Sequence, residues 1–190
     1  HYWDPHQPYQ PPEPWLGTFD RSLDDLQEIT APNGEPWLLG AGPKRALMED
    51  EDARESVCRH NEELLRVDHA IGEVVEVLKD RGLYEDTMIV VTADHGELFG
   101  EGGMFYHQYS IRDELIHVPL VVKYPDGGPT GIEESPVSLL DVFPTIMDLL
   151  GDERDIDLDG VSLLEGGSSI PLSEMARPTE EAIRSFEERG

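Results

Sequence analysis

The chain has 190 residues, 38% of them hydrophobic, which is enough for one substantial core of an α/β domain. Fourteen basic against 41 acidic residues leave a formal charge of −27, which argues against nucleic acid and anionic membrane as partners, since both are held by basic patches. No apolar run approaches the roughly 18 residues of a membrane span, and the single cysteine, Cys58, excludes an internal disulfide and a cysteine-based metal cluster.

Residues 1–18 are rich in proline and aromatic side chains (His1-Tyr-Trp3-Asp4-Pro-His6-Gln-Pro-Tyr9-Gln-Pro-Pro12) and predict a rigid, extended loop. A short helix is expected at 22–28, followed by a Pro/Gly-rich connection to Gly42. A long helix is predicted over 48–81 from the stripe Val57, Leu64, Ile71, Val75, Leu78, with Gly82 as its stop. Asp68 falls on that stripe, either hydrogen-bonded in the core or serving a site. Cys58, on the same helix, reads as a small core or boundary residue. Tyr84 to Thr87 turn the chain into Met88-Ile-Val-Val-Thr-Ala93, a β-branched run apolar on both faces that reads as a central strand of a parallel sheet. A short helix at 111–115, a strand at 118–124 closed by Pro125-Asp-Gly-Gly128, and a helix at 140–150 with Asp141 as N-cap and Gly151 as stop come next. The remainder predicts an acidic loop, a strand candidate at 170–175 and a charged helix at 179–189. The alternation of helices and strands is that of an α/β sandwich with right-handed crossovers.

The strand at 88–93 stops at Asp94 and His95. Ligands of open α/β sheets collect beyond the carboxyl ends of the strands, and an oxygen donor beside a nitrogen donor suits a divalent cation, with further ligands from elsewhere. Gly96 is expected to allow a sharp backbone turn after the pair. The acidic residues are spread along the chain and lysine occurs only at positions 44, 79 and 123, a pattern like that of proteins adapted to high salt. At about 1 M ionic strength the Debye length is roughly 3 Å, and such a surface no longer repels itself. A soluble protein is expected; the compartment is left open, with the cytoplasm slightly favoured.

Several separated blocks together resemble the carboxyl-terminal part of a sulfatase of the alkaline-phosphatase superfamily. They are Asp4-Pro-His6-Gln-Pro-Tyr9; Val67-Asp68-His-Ala-Ile71-Gly72; Thr92-Ala-Asp94-His95-Gly96-Glu97; His107 with Ile116-His-Val-Pro119; and Ser138-Leu-Leu-Asp141-Val-Phe-Pro144-Thr145. The resemblance runs in order over roughly residues 1–165. It implies an alkaline-phosphatase-like three-layer sandwich, α/β, with a mostly parallel central sheet and helices on both faces, incomplete in this chain. Residues 1–175 would form the carboxyl-terminal portion of the catalytic domain and 176–190 a charged terminal helix or tail.

In that family a divalent cation, usually calcium, orients a sulfate ester for attack by a formylglycine hydrate made from cysteine or serine. The resemblance assigns Asp94 and His95 as metal ligands, places His6 beside the sulfate or the leaving-group oxygen, and puts His107 where relatives carry a lysine or histidine touching the sulfate. The substrate it implies is a small-molecule or carbohydrate sulfate ester; oligomeric state is left open. His60, His69 and His117 have no motif support for catalysis. The chain departs from the family in having no Cys- or Ser-x-Pro-x-Arg motif, and the resemblance places that motif, with the early paired aspartates that finish the metal shell, ahead of the segment corresponding to His1. It also begins at His1 rather than Met, so a fragment or processed piece is expected, with formylglycine in the preceding segment. Two other readings stand beside sulfate hydrolysis. One is hydrolysis of a phosphomonoester or phosphonate, or transfer of a phosphorylated headgroup, on the same fold. The other is a noncatalytic fragment that binds metal or a partner.

Overall fold

The computed structural model describes residues 1–19, 51–101, 104–107, 110–152, 156–167 and 173. The helices expected at 22–28 and 179–189, and all of the strand candidate at 170–175 except Ser173, lie outside the described residues. The chain divides into two compact units, His1–Thr87 with Glu97–Gln108, and Met88–Gly96 with Tyr109–Gly190.

In the first unit the long helix, α1, runs over Glu51–Asp80. Its end is a Schellman turn, in which Gly82, at φ +67, donates to Lys79 O and Leu83 donates to Leu78 O. Of the expected stripe, Val57 is buried, Ile71, Val75 and Leu78 are half-buried and Leu64 is exposed. Val57 and the neighbouring Cys58 are buried against Phe19 and Phe99. Asp68 is exposed as well, a turn after Leu64, so it is not a core carboxylate. The face that is buried carries Val57, Cys58, Asn61, Glu62 and Glu63. Two acidic residues on a buried face run against hydrophobic periodicity, and their hydrogen bonds explain them. Glu62 Oε1 accepts from Gly17 N at 2.9 Å and Phe19 N at 3.3 Å, and Glu63 Oε1 accepts from Gln10 N at 2.6 Å. Proline-rich backbone has few partners of its own, so the helix supplies acceptors for the loop's remaining donors. Arg66 adds an ion pair with Asp4. Glu62→Ala is expected to cost roughly 1–3 kcal/mol, because it strands loop N–H groups on a dry helix face. A shift in the urea midpoint measures it, and an unchanged midpoint would mean that water replaces the carboxylate.

A small antiparallel ribbon completes this unit, β2 (Leu98–Phe99) pairing with β3 (Phe105–Tyr106). Leu98 is fully buried.

In the second unit β1 (Ile89–Thr92) pairs with β4 (Leu120–Lys123), Ile89 opposite Lys123 and Thr92 opposite Leu120. The pair is antiparallel, and no parallel pair occurs among the described residues. The expectation of a central parallel strand is corrected locally: β1 is half-buried and Val121 of β4 is 61% exposed. Antiparallel strands commonly accompany otherwise parallel sheets, and an apolar run does not reveal the direction of its partner. The short helix α2 covers Asp113–Ile116, two residues later than expected at its start, with Leu115 buried.

The helix expected at 140–150 is a 3₁₀ turn, Leu139–Asp141, leading into α3, Val142–Leu149. Ser138, not Asp141, caps the start through its hydroxyl, with Asp141 bonding back to Ser138 N at 2.9 Å as the other half of a capping box. Asp141 is fully buried because its second oxygen accepts from Val161 N at 3.0 Å, while the Thr145 hydroxyl accepts from Leu163 N at 2.8 Å. The block 138–145 therefore secures residues 160–163 onto α3. Gly151, at φ +66, ends the helix with a second Schellman turn.

Candidate functional site

Asp94 and His95 lie just beyond β1, after Ala93, in the second unit. Thr92 Oγ1 donates to Pro119 O at 2.7 Å and Gly96 N donates to Leu115 O at 2.8 Å, so the strand end is held on both sides of the pair. Gly96 is required for space rather than for a left-handed turn. A Cβ there would lie 2.0 Å from the carbonyl oxygen of Glu114.

The His95 imidazole has its Nδ1 2.8 Å from Gly96 O. A carbonyl only accepts, so Nδ1 carries the hydrogen and Nε2 keeps the lone pair that a metal needs. Asp94 Oδ1 accepts from His95 N at 3.1 Å and stands 3.9 Å from His95 Nε2, and the Asp94 side chain is 80% exposed. Two donors at that separation fit one cation with ligand distances of about 2.3–2.6 Å. Among the described residues no group of three or more His, Cys, Asp or Glu side chains is arranged to enclose a metal.

His6 and His107 belong to the first unit, where their rings lie 5.0 Å apart, and Trp3 packs 4.8 Å from His6 on the loop. His6 Nδ1 donates to Gln7 O at 2.7 Å, again leaving Nε2 as the nitrogen for chemistry. His107 follows Tyr106, which adopts a left-handed φ of 69°. For a bulky residue this conformation costs of order 1–3 kcal/mol and is held only by surrounding structure.

Sequence reasoning placed Glu97 and Tyr9 in motifs without roles. The structure joins them: Tyr9 Oη donates to Glu97 Oε2 at 2.7 Å, and His107 Nδ1 lies 3.2 Å from Glu97 Oε1. Burial and the Glu97 carboxylate both push the Tyr9 phenol pKa up, so it remains a donor. His60 packs edge-on against Tyr9 and Phe99, and its burial pushes its pKa down, which favours a neutral packing histidine. The only signal for the Glu97 contact in the sequence was its place directly after Asp94-His95-Gly96.

A family model described as Sulfatase matches residues 1–152. Arylsulfatase K of Danio rerio is 41% identical over 98 residues, 51% of this chain and 18% of that protein. Choline-sulfatase of Rhizobium meliloti (strain 1021) is 25% identical over 186 residues, 97% of this chain and 34% of that protein. A solved phosphonate monoester hydrolase from Silicibacter pomeroyi superposes with a TM-score of 0.65 at 28% identity, over 84% of this chain and 35% of that one. The chain spans about a fifth to a third of the length of these relatives. Their likeness makes the fold an alkaline-phosphatase-like α/β architecture, present here in part.

Proposed function

We propose a function from the premise that the chain belongs to the sulfatase family: it contributes to metal-assisted hydrolysis of a sulfate monoester borne by a small molecule or carbohydrate. The observation that carries this reading is the end of β1, where an exposed carboxylate and an imidazole with its Nδ1 hydrogen engaged offer two donors 3.9 Å apart. Asp94 and His95 would hold the cation, with calcium the expected ion. When bound, such an ion offsets negative charge on the ester oxygens.

His6 is assigned to the leaving oxygen. With Nδ1–H committed to Gln7 O, Nε2 is the ring position that, in the imidazolium form, gives its proton to the departing alkoxide and leaves the neutral Nδ1–H imidazole. His107 is assigned to the sulfate oxygens. Formylglycine is expected from a segment outside this chain, which has no Cys- or Ser-x-Pro-x-Arg motif. The charge of −27 supports a saline working environment. Among the described residues no helix is long and apolar enough to cross a membrane.

Likeness to a phosphonate monoester hydrolase favours a second reading, in which the ester is a phosphonate or phosphate. The protein carrying this chain should be assayed on 4-nitrophenyl sulfate and on the corresponding phosphate and phenylphosphonate esters, with and without EDTA. Faster sulfate release, abolished by EDTA and restored by calcium, is expected. Phosphonate turnover with sulfate untouched would establish the second reading, and no turnover of any ester would leave a noncatalytic binding role.

A further inference from the structure

We infer that Glu97 is a positioning residue, which locks His107 in one tautomer and orientation while Tyr9 locks Glu97. The inference rests on the proposed ester hydrolysis for its consequence, but not for its geometry. The Glu97 side chain is 6% exposed and that of His107 18%. A buried carboxylate needs its oxygens engaged, and each has a partner: Oε2 takes the Tyr9 hydroxyl at 2.7 Å and Oε1 takes His107 Nδ1 at 3.2 Å. An ionised carboxylate only accepts, so His107 must present Nδ1–H to it; Nε2 becomes the ring atom for substrate, and to donate to a sulfate oxygen it takes up a proton from solvent, giving an imidazolium held on its Nδ1 side by Glu97.

His6 reaches the same tautomer through its neighbour's carbonyl, a local contact that any loop of that conformation supplies. His107 differs. Its orienting group lies ten residues away on the other side of the β2–β3 ribbon, and the group orienting Glu97 lies 88 residues away on the loop. The chain Tyr9–Glu97–His107 therefore ties the loop bearing His6 to the ribbon bearing His107, whose ring lies 5.0 Å from that of His6. Because both ends converge on one carboxylate, Glu97 sets where two candidate catalytic imidazoles stand relative to each other.

The test uses the protein carrying this chain, labelled with ¹⁵N-histidine, with the His107 signals assigned by their loss in His107→Gln. At a pH where the imidazole is neutral, two-bond ¹H–¹⁵N correlations should show His107 with hydrogen on Nδ1. Glu97→Ala should convert it to the Nε2–H form or to an average of the two. Glu97→Gln, whose amide oxygen still accepts, should retain the original tautomer. With 4-nitrophenyl sulfate, Glu97→Ala should lower kcat about 10- to 100-fold with KM within about threefold, as loss of orientation predicts. Glu97→Gln should recover most of that loss, and Tyr9→Phe should fall between. Wild-type His107 in the Nε2–H form would overturn the inference even if the Glu97 and Tyr9 variants misfolded. So would an unchanged tautomer, or an unchanged kcat, in a folded Glu97→Ala protein. The tautomer measurement needs no turnover, so failure of sulfate hydrolysis and failure of the role of Glu97 are separate results.

Discussion

Replacing Asp94 with alanine is expected to abolish ester hydrolysis while leaving unfolding free energy within about 0.5 kcal/mol of the parent protein, as for a surface substitution. The side chain is 80% exposed and its described hydrogen bond, to His95 N, lies where water can take over. Its contribution to folding is therefore small. Its proposed contribution to catalysis is a full negative charge and an oxygen ligand, which alanine cannot supply and solvent cannot replace with the same charge. Steady-state kinetics on 4-nitrophenyl sulfate and a urea titration on the same preparation separate the two effects. Near-normal turnover would remove Asp94 from the proposed metal site, and a large loss of stability would make it structural instead.

Gly96→Ala should behave differently, with both quantities falling together. The new methyl carbon would meet Glu114 O at 2.0 Å, Glu114 C at 3.1 Å and Leu115 Cα at 3.3 Å, all of them backbone atoms. Backbone cannot swing aside as a flexible side chain does, so either α2 or the strand end must move, and the 2.8 Å bond from Gly96 N to Leu115 O moves with it. Overpacking of this kind costs about 1–3 kcal/mol. Because His95 precedes Gly96 and bonds to its carbonyl, a displacement of even about 1 Å should lower kcat/KM on the order of 100-fold. Thermal midpoint and kcat/KM measure the pair. A variant with unchanged stability would show that α2 yields, and that Gly96 is not what holds the strand end.

The contrast between these two residues shows where sequence reading reaches and where it stops. Asp94 and His95 could be singled out as candidates because an apolar β-branched run ends abruptly at two ligand-type side chains, and the structure places both just beyond the strand. Gly96 was legible as a special position but for the wrong reason: expected to serve a sharp turn, it serves the close approach of α2, a segment nearly twenty residues further on. The long helix was read correctly in existence and end, since periodicity and a glycine stop are local signals. Its buried face was misjudged, because Glu62 and Glu63 look like solvent-facing residues until the loop donors they satisfy are known.

By itself, then, the sequence determined the α/β class and the family, and it was the source of the roles proposed for Asp94, His95, His6 and His107, all of which depend on local pattern or on ordered blocks of residues. The tertiary structure alone decided the antiparallel direction of β1 against β4, the buried capping role of Asp141 and the partnership of Tyr9, Glu97 and His107. The physical reason is common to all three. Hydrogen-bond donors and acceptors on a chain do not name their partners, and when those partners are 10 to 88 residues apart, as at Glu97, only the fold brings them within reach.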